Sequence, residues 1–170
     1  MTDASQHRDP LIDRLEELSA RQDRAALARL RASLQDDRKL EGLAIVLPFV
    51  ARRDSSPDRA EDDALLVSGL FALHPESGHT LLPAALRMLS QTSDSVELRF
   101  RALLAAERAD LGPHLRHAVG LVASHGVALD WRDLHRTVRF WDHRSNRSRR
   151  RWAREFWTPG GAGSPVATQG

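Results

Sequence analysis

The chain has 170 residues, with 25 Lys and Arg, 23 Asp and Glu, eight His and no Cys. The absence of cysteine excludes a disulfide framework, a thiol nucleophile, a Cys-ligated zinc site and an iron–sulfur cluster. No apolar stretch approaches the roughly 20 residues that cross a bilayer. The polar residues 1–9 are not expected to form a secretory signal, so we predict a soluble cytoplasmic protein.

Helix-start signals appear early in the chain. Asp9 and Pro10 form an N-cap and first-turn pair, and Asp23 opens a second segment with leucines at helical spacing. Residues 39–47 form an apolar run that Pro48 must break or kink. The run alone could be a strand, but no partner strand is visible.

A long helix is predicted from Ser56 and Pro57 onward. It is apolar nearly all round between residues 65 and 73, which places it centrally in the fold. Its first turns carry acidic residues where the helix dipole favours them: Asp58, Glu61, Asp62 and Asp63. Residues 74–80 contain Pro75 and Gly78 and predict a loop.

The second half continues in the same way. After a short helix marked by three leucines, Ser93 opens the next, and Asp110 with Pro113 starts another that Gly126 terminates. Asp130 then caps a helix, with Asp133 placed for a capping-box variant.

The final helix is predicted to run to about Trp157, and the Gly/Pro/Ser/Thr-rich tail is predicted to be disordered. The pattern predicts an all-α chain, a compact bundle of about eight or nine helices without a sheet. It also allows two packed helical halves, residues 1–92 and 93–157, followed by the tail at residues 158–170.

Positive charge is concentrated near the C-terminal end. Residues 132–157 carry nine basic and three acidic groups, although the whole chain has a formal net charge of only +2. All the basic residues except Lys39 are Arg, which suits planar, bidentate contacts to phosphate. A high-GC genome explains the choice of Arg equally well, but it does not explain the clustering. The clustering indicates an anionic partner.

The helix after Asp130 shows the strongest local signal. At about 100° per residue its apolar side chains share one face, and the opposite face carries a basic stripe: Arg132, Arg136, Arg139 and His143. Asp133 lies off to the flank. Like charges at these spacings repel by a few tenths of a kcal/mol per pair, and a phosphate backbone would relieve that cost. The alternative is a solvated face that acidic groups from elsewhere in the fold compensate.

The last helix adds more arginines on one broad face: Arg147, Arg150, Arg151 and Arg154. Glu155 is placed to pair with Arg151. All four Trp lie in this quarter of the chain, and Arg-interleaved aromatics suit single-stranded nucleic acid. The apolar stripes instead place three of them in the core: Trp131, Trp141 and Trp152.

No constellation argues for catalysis, and no cofactor is predicted. His114 and His117 could share a metal, but zinc would need a third ligand that the helix does not supply. Residues 111–142 resemble a helix–turn–helix, so a free-standing DNA-binding regulator is the alternative function. An all-Arg stripe, however, contacts backbone more readily than it discriminates bases.

Six segments of the chain carry a recognisable pattern: residues 27–31 (LARLR), 61–75 (EDDALLVSGLFALHP), 94–104 (DSVELRFRALL), 114–117 (HLRH), 129–131 (LDW) and 150–157 (RRWAREFW). Together they resemble the small subunit of the type I-E CRISPR surveillance complex Cascade, the CasB family. The matches occur in the family's order. The chain departs from relatives at Ala32 and Leu98, where they often have Arg, and at Arg144, where they commonly have Pro.

The resemblance implies a non-enzymatic, all-helical subunit that is present as a head-to-tail pair. Such a subunit holds the displaced DNA strand on a basic groove and contacts the subunits that carry the guide RNA. The implied partners are therefore guide RNA, displaced single-stranded DNA, the backbone and large subunits, and a second copy. Together the residues and the resemblance give these candidate nucleic-acid contacts: Arg24, Arg31, Arg99, Arg116, Arg132, Arg136, Arg139, Arg144, Arg147, Arg150 and Arg151.

Overall fold

A computed structural model of the chain describes residues 8–50 and 56–158. Within these ranges there are nine α-helices, so the prediction of an all-α chain with eight or nine helices is confirmed. The helices are α1 (Pro10–Ala20), α2 (Arg24–Ala32), α3 (Leu43–Val46), α4 (Pro57–Leu73), α5 (Leu82–Ser90), α6 (Asp94–Ala105), α7 (Arg108–Ser124), α8 (Trp131–Arg139) and α9 (Arg147–Trp157). No helix in the described ranges is long and apolar enough to span a membrane.

The apolar run before Pro48 breaks into short helical turns. A 3-10 helix at Asp36–Gly42 leads into the single turn of α3, and a second 3-10 helix at Leu47–Phe49 contains the proline. Pro48 has no backbone N–H and cannot continue an α-helical ladder. The run is therefore helical, not a strand.

The predicted N-caps are confirmed. The side chains of Asp9, Asp23 and Asp130 each accept a hydrogen bond from a backbone N–H in the first turn of the following helix. The reciprocal half of the capping box at α8 is not made, because the backbone N–H of Asp130 donates to the Thr80 carbonyl at 2.9 Å. The carboxylate of Asp133 is consequently available for other partners.

The segment predicted as a loop at residues 74–80 contains a short strand, β1 (Ser77–Thr80). Isolated bridges join Ser77 and Thr80 to Leu129, just before α8. The indole of Trp131 also donates to the Glu76 carbonyl at 3.1 Å. β1 therefore fixes the start of α8 against a segment about 50 residues earlier in the chain.

Helix α7 begins two residues before the predicted Asp110, and Pro113 lies inside it. The proline leaves the carbonyl of Ala109 without its helical donor, but Ala109 is exposed and water can bind there. Gly126 has φ +65° and ends the helix in the left-handed conformation, as predicted.

One hydrophobic cluster includes residues from both predicted halves. Helices α2 and α4 approach closely at Gly69, where an added Cβ would lie 2.9 Å from the carbonyl oxygen of Leu30 on α2 and 2.6 Å from the side chain of Leu34 just after that helix. Trp131, Trp141 and Trp152 are buried in this cluster, as predicted. The division at residue 92 stays a prediction, and residues 159–170 of the predicted tail lie outside the described part of the chain.

Candidate nucleic-acid interface

A groove of about 320 Å³ lies where α8, the following turn and the start of α9 meet. We call it the α8–α9 groove. Among the described residues its lining is basic, aromatic and hydroxylic, with no carboxylate: Arg136, Phe140, His143, Ser145, Arg147, Ser148 and Arg151. Three of the eleven predicted contacts therefore line one concave surface.

Two buried indoles hold the turn between α8 and α9 in place. Trp141 and Trp152 make an edge-to-face contact with ring centroids 5.8 Å apart. The indole N–H of Trp141 donates to the Ala106 carbonyl at 3.0 Å. Asn146 adopts the left-handed conformation with φ +49° and reverses the chain into α9. Because the tryptophans point inward, Phe140 and the hydroxyls of this turn face the groove.

One buried carboxylate lies beneath the groove. Asp133 is only 2% exposed, and it pairs with Arg136 at 3.1 Å and with Arg151 at 2.7 Å. It also accepts a hydrogen bond from the Trp152 indole at 3.2 Å. Arg147 forms no ion pair within the described part of the chain. The three guanidinium groups of the groove are thus balanced by only one carboxylate, and the groove keeps a net positive charge.

This arrangement corrects two expectations. Asp133 is not a flanking residue of α8 but a buried anion that pairs with two arginines of the groove. Arg151 bonds this carboxylate and the Thr137 hydroxyl, in place of the predicted pairing with Glu155. Burial beside Trp152 makes the Asp133 site the stronger partner, because charged hydrogen bonds strengthen away from water.

The prediction of an unpaired basic stripe is wrong at Arg132. Its guanidinium donates to both carboxylate oxygens of Glu16, at 2.8 and 2.9 Å, and to Asp13 at 2.6 Å. We call these three residues the Arg132 cluster. The hydrogen bonds and charge of Arg132 hold the pKa of Glu16 below its ordinary value, and burial opposes them only in part. At Arg132 the alternative interpretation of the stripe therefore holds, because acidic residues from another part of the fold, on α1, compensate its charge.

A neighbouring pair extends this contact between α1 and α8. His135 lies 2.6 Å from the Asp9 carboxylate, the same group that caps α1. Burial works to raise the pKa of Asp9, but hydrogen bonding and the charge of His135 outweigh it and lower that pKa. The α1 side of α8 is therefore joined by charged pairs, and a groove of about 540 Å³ that Arg132 and His135 line runs beside them.

The C-terminal end of the basic stripe, at Arg139 and His143, is more exposed to solvent than Arg132. Arg139 is exposed and lines two further grooves that also touch Phe140. His143 is exposed, and its Nδ1 lies 2.8 Å from the Ser145 hydroxyl. Arg144 and Arg150 are exposed but do not line the α8–α9 groove.

The remaining predicted contacts lie on other elements. Arg24 and Arg31 are on α2, where the Arg31 guanidinium donates to the Ala72 carbonyl at 3.0 Å and so binds α2 to the end of α4. Arg99 lines a separate groove of about 450 Å³ between α6 and α7, together with His114 and His117. Arg116 is exposed on α7.

Sequence reasoning missed an arginine that joins three segments next to the groove. Arg108 pairs with Asp63, donates to Asp142 at 2.7 Å and donates to the Val138 carbonyl at 2.7 Å. Arg59 also pairs with Asp142. The network ties α4 and α7 to the turn that carries the groove.

Asp63 was predicted to be N-terminal charge on α4, but it is buried beside Arg108. Burial raises the pKa of Asp63, and the charge of Arg108 offsets only part of that rise. Its helical position gives no sign of this, because the partner is 45 residues away.

Phe140 was also missed. It is 49% exposed, whereas the three buried tryptophans are covered. Its position carries a signal, since it follows Arg136 by four residues and so falls on the basic stripe of α8. Trp157 is 40% exposed, with its indole bonded to Glu97 and its ring beneath Arg101. It packs by these contacts at the far end of α9.

The described residues contain no group of three or more His, Cys, Asp or Glu that could hold a metal ion.

The family model for CRISPR-associated protein Cse2 matches residues 23–157. The chain belongs to this family. That result confirms the resemblance identified from the sequence segments.

Individual members of the family agree with this assignment. A CRISPR-associated protein Cse2 from Thermus thermophilus is 36% identical over 118 residues, 68% of this chain and 67% of the relative. The crystal structure of a Cse2-family protein from Thermus thermophilus superposes with a TM-score of 0.77 at 31% identity, and covers 87% of this chain and 96% of the other. A chain of a structure described as a CRISPR RNA-guided surveillance complex has a TM-score of 0.71 at 25% identity, and covers 89% and 91%.

Proposed function

We propose that the chain is a non-catalytic subunit of a CRISPR RNA-guided surveillance complex, in which the α8–α9 groove holds the backbone of a displaced DNA strand. The observation that carries the proposal is the groove's three arginines, which are only partly neutralised by the single carboxylate of Asp133. Membership of the Cse2 family and the likeness to a chain of such a complex support it. The cytoplasmic location predicted from the sequence is part of this proposal.

The groove is suited to backbone contact without base readout. Guanidinium and hydroxyl groups bind phosphate oxygens in any sequence, whereas base discrimination draws on amide and carboxylate side chains as well. In an RNA-guided complex, pairing with the guide supplies sequence specificity. A protein surface that binds any single strand is then sufficient to stabilise the opened duplex.

The other partners follow from the family resemblance. We propose contacts to guide RNA, to the backbone and large subunits and to a second copy of the chain. Arg24, Arg31, Arg99 and Arg116 are separate from the α8–α9 groove and are candidates for these contacts. Arg144 and Arg150 are candidates for extending the path of the strand along α9.

A helix–turn–helix regulator fits the geometry less well. That function needs the outer face of α8 to enter a major groove. Arg132 and His135 on that helix are instead engaged by acidic residues of α1. A duplex would have to compete with these carboxylates for them.

The test compares two variants that change the net charge equally. Arg147→Ala removes the groove's arginine that lacks a carboxylate partner, and Arg154→Ala removes an exposed arginine about 10 Å further along α9, outside the groove. Binding of the purified full chain to a labelled oligothymidylate is measured over a salt series by fluorescence anisotropy.

We expect Arg147→Ala to weaken binding about three- to tenfold and to reduce the slope of log affinity against log salt by about 0.7, the value for one lost phosphate contact. Arg154→Ala should leave both close to the wild type. Equal effects of the two variants would mean that only net charge matters and would contradict the groove. Purification of the tagged chain from its host with guide RNA and several other subunits would test the assembly separately.

A further inference from the structure

The α8–α9 groove contains an aromatic ring that the proposed backbone contacts do not use. Phe140 is about half exposed, caps the C-terminal end of α8 and lies beside Arg136, Arg147 and Arg151 in the groove lining. An exposed large apolar side chain in a basic groove loses the benefit of burial unless a ligand covers it. Three of the six other lining residues are arginines, which favours a ligand that is both anionic and apolar.

A nucleotide of an unpaired strand meets both requirements. Its phosphate is an anion for the guanidinium groups, and its base presents a flat apolar face to a ring. A base in an intact duplex is already stacked on both sides and cannot do so. We infer that Phe140 is a stacking platform for one base of the strand held in the α8–α9 groove, which makes this groove selective for single strands over duplex. The inference rests on the proposed function of that groove.

The surroundings of Phe140 leave a ring face for such a base. The turn is held from below by Trp141, which is fully buried, so Phe140 cannot rotate into the core at that place. Its aromatic neighbour, His143, meets it edge-on, with centroids 6.5 Å apart and an interplanar angle of 74°. An edge-to-face contact covers at most one face of Phe140, so His143 leaves at least one face available. Phe140 also lines two other grooves, but these contain carboxylates beside Arg139: Asp9 in one, and Asp63 and Asp142 in the other. The described lining of the α8–α9 groove has none, so we expect an anionic strand on that side of the ring.

The experiment uses three probes of equal length: an oligothymidylate, an abasic oligodeoxynucleotide and a duplex. The abasic strand keeps the phosphates and removes the bases, so it isolates stacking from charge. The variants are Phe140→Ala, Phe140→Leu and Phe140→Trp in the full chain, with Arg147→Ala as the charge control. Binding is measured over a salt series that begins at about 50 mM, where the affinity of backbone-binding proteins is high enough to compare variants.

We expect Phe140→Ala and Phe140→Leu to weaken oligothymidylate binding between about fivefold and a hundredfold, with an unchanged salt slope. Binding to the abasic strand and to the duplex should not change. Phe140→Trp should retain binding to the oligothymidylate. The tryptophan emission of that variant should fall on binding by more than the wild-type emission does, because bases quench a stacked indole.

Two results would overturn the stacking role. One is wild-type affinity of Phe140→Leu and Phe140→Ala for the oligothymidylate. The other is an equal loss on the abasic strand, which would show that Phe140 only positions the arginines. If Arg147→Ala also matched the wild type on every probe, the proposed function of the groove would fail as well. If Arg147→Ala weakened binding as expected while the Phe140 substitutions had no effect, only the stacking role would be overturned.

Discussion

The Arg132 cluster and the α8–α9 groove each include one arginine of α8, Arg132 in the cluster and Arg136 in the groove, yet they differ in what surrounds the guanidinium groups. Arg132 faces two carboxylates of α1, both within hydrogen-bonding distance. Arg147, the first residue of α9, faces a groove whose described lining contains no carboxylate. One region uses arginine to join two helices, and the other leaves positive charge facing solvent.

The difference shows that a basic stripe on a helix is not yet a binding surface. A guanidinium that already donates to two carboxylates gains little from a phosphate, because it must give up those bonds to make new ones. A partly neutralised group gains the full contact and releases counterions from the nucleic acid. Which case applies depends on long-range packing. The following predictions test this contrast, beginning with the largest effect.

Arg108→Met should give the largest loss of stability. Asp63 is buried against Arg108, and removal of the cation would leave its carboxylate without an ion-pair partner. Breaking a buried pair in this way costs about 3–5 kcal/mol. Urea unfolding followed by circular dichroism measures the free energy of unfolding. The double variant Arg108→Met with Asp63→Leu should recover much of the loss, and failure to recover would show that Asp63 is not the reason.

Asp133→Asn should affect stability and binding in opposite directions. The buried carboxylate accepts from Arg136, Arg151 and Trp152, and its neutralisation should lower the free energy of unfolding by about 2 kcal/mol. The groove gains one net positive charge, so affinity for an oligothymidylate should rise at low salt. Calorimetry and an anisotropy titration on the same preparation measure the two effects. Weaker binding by a fully folded variant would contradict the charge balance described for the groove.

Arg132→Ala should cost about 1 kcal/mol of stability, the upper range for partly exposed ion pairs. Its affinity for single strands and its salt slope should match the wild type, in contrast to Arg147→Ala. Chemical unfolding and a salt-series titration supply the two measurements. A loss of affinity equal to that of Arg147→Ala, without loss of stability, would reverse the assignment of the two regions.

The smallest expected effect is a pH dependence of the Arg132 cluster. Arg132 lowers the pKa of Glu16 below its ordinary value of 4.5. A carboxyl group with a lowered folded-state pKa stabilises the fold above its unfolded pKa, and that stabilisation is lost as the pH falls through the folded value. The stability difference between wild type and Arg132→Ala should therefore be constant near neutral pH and shrink below about pH 4.5. Asp63 contributes with the opposite sign, but it is common to both proteins and cancels in the difference.

Much of the fold was predictable because its signals are local. Asp9, Asp23 and Asp130 cap helices through atoms two or three residues away, and the spacing of Trp131, Trp141 and Trp152 gives their burial directly. Such patterns need no knowledge of tertiary structure. The strand at Ser77–Thr80 was missed because its partner, Leu129, lies in a segment with no strand pattern.

The candidate site was only partly predictable. The concentration of arginine between residues 132 and 157 is visible in the sequence, and three of the predicted contacts line the groove. The pairing of Arg132 with Glu16 spans 116 residues, and helical periodicity carries no information about such a contact. Phe140 was overlooked because the tryptophans were the more obvious aromatics, although its position relative to Arg136 was available.

The contact between Arg132 and α1 also joins residues that are synthesised far apart in time. The acidic side chains of α1 leave the ribosome before the arginine-rich residues 132–157. Until α8 docks, that later segment carries nine basic and three acidic groups, a charge that attracts nucleic acid. Doubling the length of a closed loop adds only about 0.6 kcal/mol, so the distance between the partners is a modest obstacle to docking. The carboxylates of Asp13 and Glu16 are therefore synthesised before the arginine that they bind, and their negative charge opposes capture of that arginine by nucleic acid.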